Sequence, residues 1–229
     1  VLMTLLSKKC SKKSGHFTLM VRIPGWAVNR PVPSDLYTYL PDQPTGSIIL
    51  KVNDREFPLQ IGNDGYIALS RKWKKGDQIS LFLPMPVRRV IAHPLVKEDS
   101  AKVALERGPI VYCLEWPDNQ EKVLNTVLND SIAIQASFLP EKLHGIVQLE
   151  ALAQATKQGD NNRIQVENKL IQAIPYYAWA NRGSGEMAVW LPRTVGSSKP
   201  LPMPTICTHA KVTASTDNRS LSCVNDGYL

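Results

Sequence analysis

In Phe17-Thr18-Leu19-Met20-Val21-Arg22-Ile23, every second side chain is large and apolar. This period of two predicts a half-buried β-strand. The same pattern returns in residues 48–52, 57–61, 66–69 and 79–83. Turn sequences such as Asn53-Asp54 and Asn63-Asp64-Gly65 separate the repeats, and these residue types tolerate the positive φ of tight hairpins. Short strands at such close spacing are typical of an antiparallel sandwich.

The first strand series ends at Leu83-Pro84-Met85-Pro86, because proline has no N–H for ladder pairing. We place a module boundary near Val90, after which a second series of strand patterns begins. This series comprises residues 103–105, 110–115, 132–138, 146–152, 164–166 and 187–191. Residues 101–107 and 149–157 are rich in good helix formers, but we expect their strand neighbours to override that preference.

The sequence therefore predicts an all-β chain with little helix, built from two antiparallel β-sandwich modules in tandem. The first occupies residues 1–90 and could lack its first strand, because Val1 already lies in strand-like sequence. The second occupies residues 91–195. Residues 196–229 are expected to form a linker, rich in proline and glycine at its start, followed by the truncated beginning of a further module.

The formal net charge of the 229 residues is +7, which raises the question of a nucleic-acid partner. Basic residues form small groups beside turn signals or strand ends, in residues 8–13, 71–75 and 88–89. None is interleaved with aromatic residues as in nucleic-acid-binding motifs, so we interpret them as solvated loop tips. A basic face that meets an acidic partner domain is the alternative. No run approaches the roughly 20 apolar residues of a membrane-spanning helix, so we expect neither a nucleic acid nor a membrane as partner.

The four cysteines show no C-x-x-C pair and no zinc-ligand spacing. Cys113 lies in a strand pattern and is predicted to be a small buried residue. Whether Cys207 and Cys223 form a disulfide stays open. Cys207 and His209 pair two ligand types, but a structural zinc site needs four ligands. We therefore expect no metal and no cofactor in this chain.

Glycosidases use two carboxyl groups roughly 5 to 10 Å apart. The acidic residues nearest to predicted strand ends are Glu106, Glu115, Asp118 and Glu186. Twenty acidic residues guarantee such pairs by chance, and a local ion pair with Arg107 explains Glu106 equally well. Other signatures, such as G-x-S-x-G and H-E-x-x-H, are missing from the sequence. The sequence therefore assigns no catalytic residue.

Aromatic residues are the candidates for binding. Flat rings with a polar rim suit sugar rings, and they equally suit a contact between domains. We name five candidates for carbohydrate binding or interdomain contact: Trp26, Trp73, Tyr176, Tyr177 and Trp179. Packing in the core is the competing interpretation, because tryptophan is usually well buried.

Five segments, taken in order, resemble glycoside hydrolase family 127, the β-L-arabinofuranosidase family. They are Leu19 to Ala27, Gly65 to Asp77, Leu83 to Arg88, Val103 to Glu115, and Ala173 to Gly183. Together they span roughly residues 17 to 192. The resemblance implies a bacterial enzyme with an N-terminal (α/α)6 barrel followed by two β-sandwich domains, and this chain looks like the two sandwiches without the barrel.

The resemblance also places the chemistry outside this chain, because a zinc-bound cysteine nucleophile and a glutamate acid/base lie on the family's barrel. We expect a non-catalytic region that braces the N-terminal catalytic barrel of a parent enzyme acting on β-L-arabinofuranosides or related plant glycans. That function predicts an exposed apolar patch. A carbohydrate-binding module that takes plant-derived oligosaccharides is the alternative, and a complete small enzyme is the third hypothesis. Residues 212–227 are similar to the start of discoidin-type carbohydrate-binding modules, and the parent is expected to be periplasmic or secreted.

Overall fold

The structure is a computed structural model that describes residues 2–4, 15–159, 161 and 163–203. The described residues form sixteen β-strands and several single turns of 3₁₀-helix, with no α-helix among them. In chain order the strands are β1 (Leu2–Thr4), β2 (Gly15–Arg22), β3 (Tyr37–Tyr39), β4 (Ile49–Val52), β5 (Arg55–Glu56), β6 (Tyr66–Trp73), β7 (Gln78–Phe82), β8 (Val87–Ala92), β9 (Lys102–Arg107), β10 (Ile110–Glu115), β11 (Thr126–Val127), β12 (Gln135–Leu139), β13 (Ile146–Gln158), β14 (Ile164–Pro175), β15 (Met187–Ala188) and β16 (Leu191–Pro192). The predicted all-β class is confirmed.

The chain divides into two compact units. The first contains the described residues up to Lys97 together with Leu105–Ile110. The second contains Glu98–Ala104 and the described residues from Val111 onward. Val90, near which the sequence places a module boundary, lies within β8 of the first unit. No helical turn in the described part of the chain has the length and hydropathy of a membrane-spanning helix.

The first unit is an antiparallel sandwich. One layer is a sheet with strand order β1-β7-β4-β5, and the other is the β2-β6 pair, which runs in register from Gly15↔Trp73 to Arg22↔Tyr66. The buried side chains of the two layers form one core: Val21, Ile23, Leu50, Val52, Ile67, Leu69, Trp73, Ile79 and Leu81. They occupy alternate positions of their strands, as a half-buried sheet requires. β3 and β8 form a further antiparallel pair, in which Tyr39 lies opposite Val90.

The second unit is organised around a long hairpin. β13 and β14 pair from Leu149↔Ala173 to Gln158↔Ile164. β12 and β11 pair with β13, while β10 pairs with the last three residues of β14. Leu114 of β10 pairs with Ala173 on one side and with Ala188 of β15 on the other. The buried face of the hairpin carries many small side chains, among them Ala151, Ala153 and Ala155, so neighbouring chain can pack closely against it.

Most predicted strands are present, and the differences have local causes. Residues 57–61 do not form the predicted strand, because Pro58 lacks an N–H and the pairing with β4 stops at β5. Phe57 adds one more backbone bond, from its N–H to the carbonyl of Leu50 at 2.8 Å. The two helix-prone segments, residues 101–107 and 149–157, lie in β9 and β13, as the strand interpretation expected. Strands β3 and β8 were not predicted.

Candidate functional site

A short aromatic turn follows β14 and forms the candidate site of the second unit. Pro175 ends the strand, and residues Tyr176–Ala178 make a single 3₁₀ turn that Trp179 closes by donating its N–H to the carbonyl of Tyr176 at 3.1 Å. Ala178 points inward and packs with Cys113, among others. The small side chain therefore anchors the turn and leaves the three aromatic side chains outside.

The aromatic rings of the turn are accessible. The rings of Tyr176 and Trp179 stack on each other, with centroids 5.6 Å apart and planes inclined by 21°. Such an offset stack holds both rings in one orientation. Tyr177 stands beside them and is 68% exposed. The structure thus brings together three of the five aromatic residues that the sequence singled out.

Hydrogen bonds from the next residues fix the turn. The N–H of Ala180 donates to Oε1 of Glu115 at 3.2 Å. The side-chain amide of Asn181 donates to the carbonyl oxygens of Ala178 and Trp179 at 3.0 and 3.3 Å. Ala180 has a φ of 67°, in the left-handed region that costs energy for any residue with a Cβ. These bonds stabilise that backbone conformation and with it the direction in which the rings face.

Arg182 clamps the turn to the sheet. Its guanidinium donates through Nε to Oε2 of Glu115 at 3.0 Å, and through Nη1 and Nη2 to the two carboxylate oxygens of Asp118 at 3.0 and 2.6 Å. A planar guanidinium suits such forked pairing. Glu115 is only 1% exposed, and Lys142 adds a bond to Oδ1 of Asp118 at 2.7 Å. The clamp is therefore a largely buried network of two carboxylates and two cations.

The charges of the clamp are mutually stabilised. Hydrogen bonds to Asp118 and Glu115, acting against burial, raise the pKa of Arg182 above its ordinary value. Burial alone would raise the pKa of Asp118, but hydrogen bonds from Arg182 and Lys142 hold it below its usual range. Glu115 and Asp118 thus act as ion-pair partners in this structure. From the sequence, an ion pair was expected only for Glu106, so neither Arg182 nor Lys142 was identified as a partner of these carboxylates.

Glu186 has a comparable structural role. Its carboxylate accepts hydrogen bonds from the N–H groups of Val123 and Leu124 at 2.7 and 3.1 Å, and from Nζ of Lys122 at 3.2 Å. These contacts hold the loop that crosses toward β11. The carboxylate of Glu186 therefore fixes the path of the chain at residues 122–124.

Glu106 belongs to a buried cluster of the first unit. The guanidinium of Arg88 lies over the ring of Tyr39, 3.4 Å from its centroid, and donates to the side-chain oxygen of Asn29. Burial raises the pKa of Glu106, while burial together with the hydrogen bond to Glu106 raises that of Tyr39. The cluster joins β3, β8 and β9 within the core. The predicted local pair of Glu106 with Arg107 is not among the described ion pairs.

The other aromatic candidates lie in the first unit. Trp73 is 2% exposed, donates its indole N–H to the carbonyl of Phe17 at 3.0 Å, and packs in the sandwich core. No ring face is open for a sugar, so its prediction as a contact residue is wrong. Its position in the sequence already indicated burial, because Trp73 lies on the same side of β6 as the apolar Ile67 and Leu69. Trp26 lies half-buried in the 3₁₀ turn Gly25–Val28.

No cluster of three or more potential metal ligands occurs among the residues that the structure describes. Cys113 is buried, and burial raises the pKa of its thiol to about 12. The thiol is therefore protonated and unreactive at neutral pH. Cys10, Cys207, His209 and Cys223 lie outside the described residues.

Comparison with known proteins matches both units to one family. Residues 3–85 match the middle domain of GH127 β-L-arabinofuranosidases, and residues 87–192 match the C-terminal domain of glycoside hydrolase family 127. A non-reducing end β-L-arabinofuranosidase of Bifidobacterium longum subsp. longum is 31% identical in an alignment over 190 residues that covers 77% of this chain and 28% of that protein.

Solved structures agree with the sequence match. A GH127 β-arabinofuranosidase superimposes with a TM-score of 0.76 at 40% identity, over 82% of this chain and 30% of its own. A GH127 β-L-arabinofuranosidase from Geobacillus stearothermophilus T6 gives 0.67 at 35% identity, over 79% and 27%. The chain spans less than a third of the length of these relatives. It belongs to glycoside hydrolase family 127 and represents the C-terminal region of that family, with its middle and C-terminal domains.

Proposed function

We propose that this chain is a non-catalytic accessory region of a family 127 glycoside hydrolase, and that it braces the N-terminal (α/α)6 catalytic barrel. The observation that carries the proposal is the match itself. The family's middle and C-terminal domains account for residues 3–85 and 87–192, and the alignment with the Bifidobacterium relative covers only 28% of that protein. In this proposal the parent enzyme hydrolyses β-L-arabinofuranosides, and zinc and the reacting groups belong to its barrel.

The chemistry of the described carboxylates supports this assignment. The carboxylate oxygens of Glu115, Asp118 and Glu186 accept hydrogen bonds from backbone N–H groups and cations of their own unit. A glycosidase acid or nucleophile must instead face substrate from both sides of a scissile bond. These residues therefore support a structural role for the second unit.

An exposed apolar surface supports the docking part of the proposal. Leu152 and Leu170 stand opposite each other in the β13–β14 hairpin and are 59% and 56% exposed. Paired apolar residues on an open sheet face are typical of a surface that another protein covers. This is the kind of patch that the scaffold hypothesis predicted from the sequence.

Two measurements test the proposal. The chain alone is assayed on p-nitrophenyl β-L-arabinofuranoside, and its binding to the catalytic region of the Bifidobacterium relative is measured by isothermal titration calorimetry. We expect no turnover by the chain alone and saturable binding to the catalytic region. Turnover by the isolated chain, or no heat of binding to a catalytic region whose fold is verified by circular dichroism, would reject the proposal.

A second candidate function is carbohydrate binding at the aromatic turn. This function is favoured because the exposed rings are preorganised. The Arg182 clamp and the Asn181 bonds fix the turn in the free protein, which lowers the entropy lost on binding. Titration with arabino-oligosaccharides at millimolar concentration should then give heat that Tyr177→Ala abolishes. Phe138→Ala, at a similarly exposed ring on β12, is the matched control. Equal heats for both variants would reject sugar binding at the turn.

A further inference from the structure

The β13–β14 hairpin has an open edge. β10 pairs with β14 only at Ala173–Pro175. At Gln172 the side chain of Asn119 replaces a strand, donating to the Gln172 carbonyl at 2.9 Å and accepting from its N–H at 3.0 Å. Among the described residues, no strand pairs with the outer edge of residues 164–171. The backbone there offers unpaired N–H and carbonyl groups to a further strand.

The same part of the hairpin presents an apolar face. The register places Ile164 opposite Gln158, Val166 opposite Thr156, and Leu170 opposite Leu152. Paired residues and alternate residues share a face of a sheet. The four apolar side chains therefore lie on one face, and all of them are exposed. We call this set the hairpin stripe: Leu152, Ile164, Val166 and Leu170.

The two charged residues of the edge strand between Ile164 and Leu170, Glu167 and Lys169, form contacts within their own unit. Lysines on an edge strand are a common guard against association. Here Nζ of Lys169 turns away from the edge to the carbonyl of Lys122, and Lys157 forms an ion pair with Glu167 at 2.8 Å across the hairpin. Both cations are thus engaged within their own unit, which leaves residues 164–170 accessible to another strand.

We propose that an extended segment from the catalytic region of a family 127 chain pairs with the outer edge of β14 and covers the hairpin stripe. Strand addition of this kind obtains affinity from main-chain bonds and specificity from side chains at alternate positions. The segment should therefore carry an apolar residue at every second position. This inference rests on the proposed function, because it names the surface through which the bracing takes place.

The catalytic region is chosen as the partner because the aligned part of the Bifidobacterium relative is short. The matched residues make up only 28% of the Bifidobacterium relative, so most of that protein's length is available to cover this surface. A second copy of the present chain is a weaker fit. Each copy has a formal net charge of +7, and a symmetric antiparallel pairing centred on Glu167 would oppose two carboxylates.

The experiment compares this chain alone with a chimera in which it replaces the matching region of the full-length Bifidobacterium enzyme. Hydrogen exchange of both is followed by mass spectrometry. We expect peptides that cover residues 164–170 to exchange at least tenfold more slowly in the chimera, because the new strand protects their amides. The same exchange measurement on a mixture of the chain with the separate catalytic region gives an independent result.

Variants then test the stripe. Leu170→Glu should lower the melting temperature of the chimera and leave that of the isolated chain unchanged. Phe82→Glu is the matched control, since Phe82 on β7 is 57% exposed but lies outside the stripe. Phe82→Glu should change the melting temperature of neither the chimera nor the isolated chain.

The outcomes separate the two proposals. Protection elsewhere in the chain but not at residues 164–170 would overturn the inference and leave the accessory function intact. No protection anywhere, with no binding to the catalytic region, would overturn both. Concentration-dependent dimers of the isolated chain that Leu170→Glu abolishes would assign the edge to a second copy and overturn the inference.

Discussion

Replacement of Arg182 by alanine tests whether the aromatic turn depends on its buried clamp. In the Arg182→Ala variant, Asp118 keeps its bond from Lys142 at 2.7 Å. Glu115, which is 1% exposed, keeps only the long bond from the N–H of Ala180. Removing one partner of a buried ion pair typically costs about 3–5 kcal/mol, because the other charge is left without compensation. Since only Glu115 is left without a cation and Arg182 is itself partly solvated, we expect the lower end, about 3 kcal/mol.

Urea unfolding followed by tryptophan fluorescence measures this loss. For a typical dependence of about 2 kcal/mol per molar urea, the midpoint of the second unit should fall by about 1.5 M. The matched control is Arg193→Ala, which breaks the exposed pair with Asp130 and should cost less than about 1 kcal/mol. Adding Glu115→Gln to Arg182→Ala should restore part of the loss, because the uncompensated charge disappears. If Arg182→Ala costs no more than Arg193→Ala, the clamp does not stabilise the unit as argued.

Three further predictions concern single contacts. Gly185→Ala should destabilise the chain by about 1–3 kcal/mol, because a Cβ there would lie 2.3 Å from the ring of Trp116; Gly196→Ala, with nothing within 4 Å, should be neutral in the same urea experiment, and equal effects would contradict the steric argument. The pKa of Asp118 is lowered in the folded state, so its contribution to stability is complete above the unfolded pKa of about 4 and is lost as pH falls through the folded value. Asp118→Asn should therefore flatten the decline of stability below about pH 4, and an unchanged slope would refute the linkage. Cys113 should resist iodoacetamide at pH 8 until urea unfolds the chain, because burial raises its pKa to about 12; peptide mass spectrometry reads the modification, and alkylation of the native protein would show that the thiol is accessible.

The strand pattern was predictable where alternation was strong. β2, β4 and β7 alternate apolar residues with others, β6 does so except at Arg71, and the core of the first unit uses the apolar positions. The short β3 and β8 escaped prediction for a different reason. β8 contains Arg88 and Arg89, both buried, in a segment that polarity alone assigns to the surface. Their burial depends on partners such as Tyr39 that come from distant parts of the chain.

The candidate site was predictable only in part. Tyr176, Tyr177 and Trp179 are close in sequence, so any turn would bring them together. The clamp beneath them joins Glu115 and Asp118 to Arg182, more than sixty residues later. No local pattern encodes such a contact, since it arises when β10 and β14 become neighbours in the sheet. Trp73 was predicted wrongly because its aromatic character was weighed and its position on the buried side of β6 was not.

One strand carries both exposed features of the second unit, which makes their functions separable. β14 contributes Ile164, Val166 and Leu170 to the hairpin stripe, and the aromatic turn begins directly after Pro175, the last residue of β14. From Leu170 to Pro175 the strand rises by about 17 Å at roughly 3.3 Å per residue. Substitutions separated by more than about 10 Å without shared partners usually act additively. Leu170→Glu should therefore affect docking alone and Tyr177→Ala sugar binding alone; if each weakened both, a single partner surface would have to cover the length of β14 from the stripe to the turn.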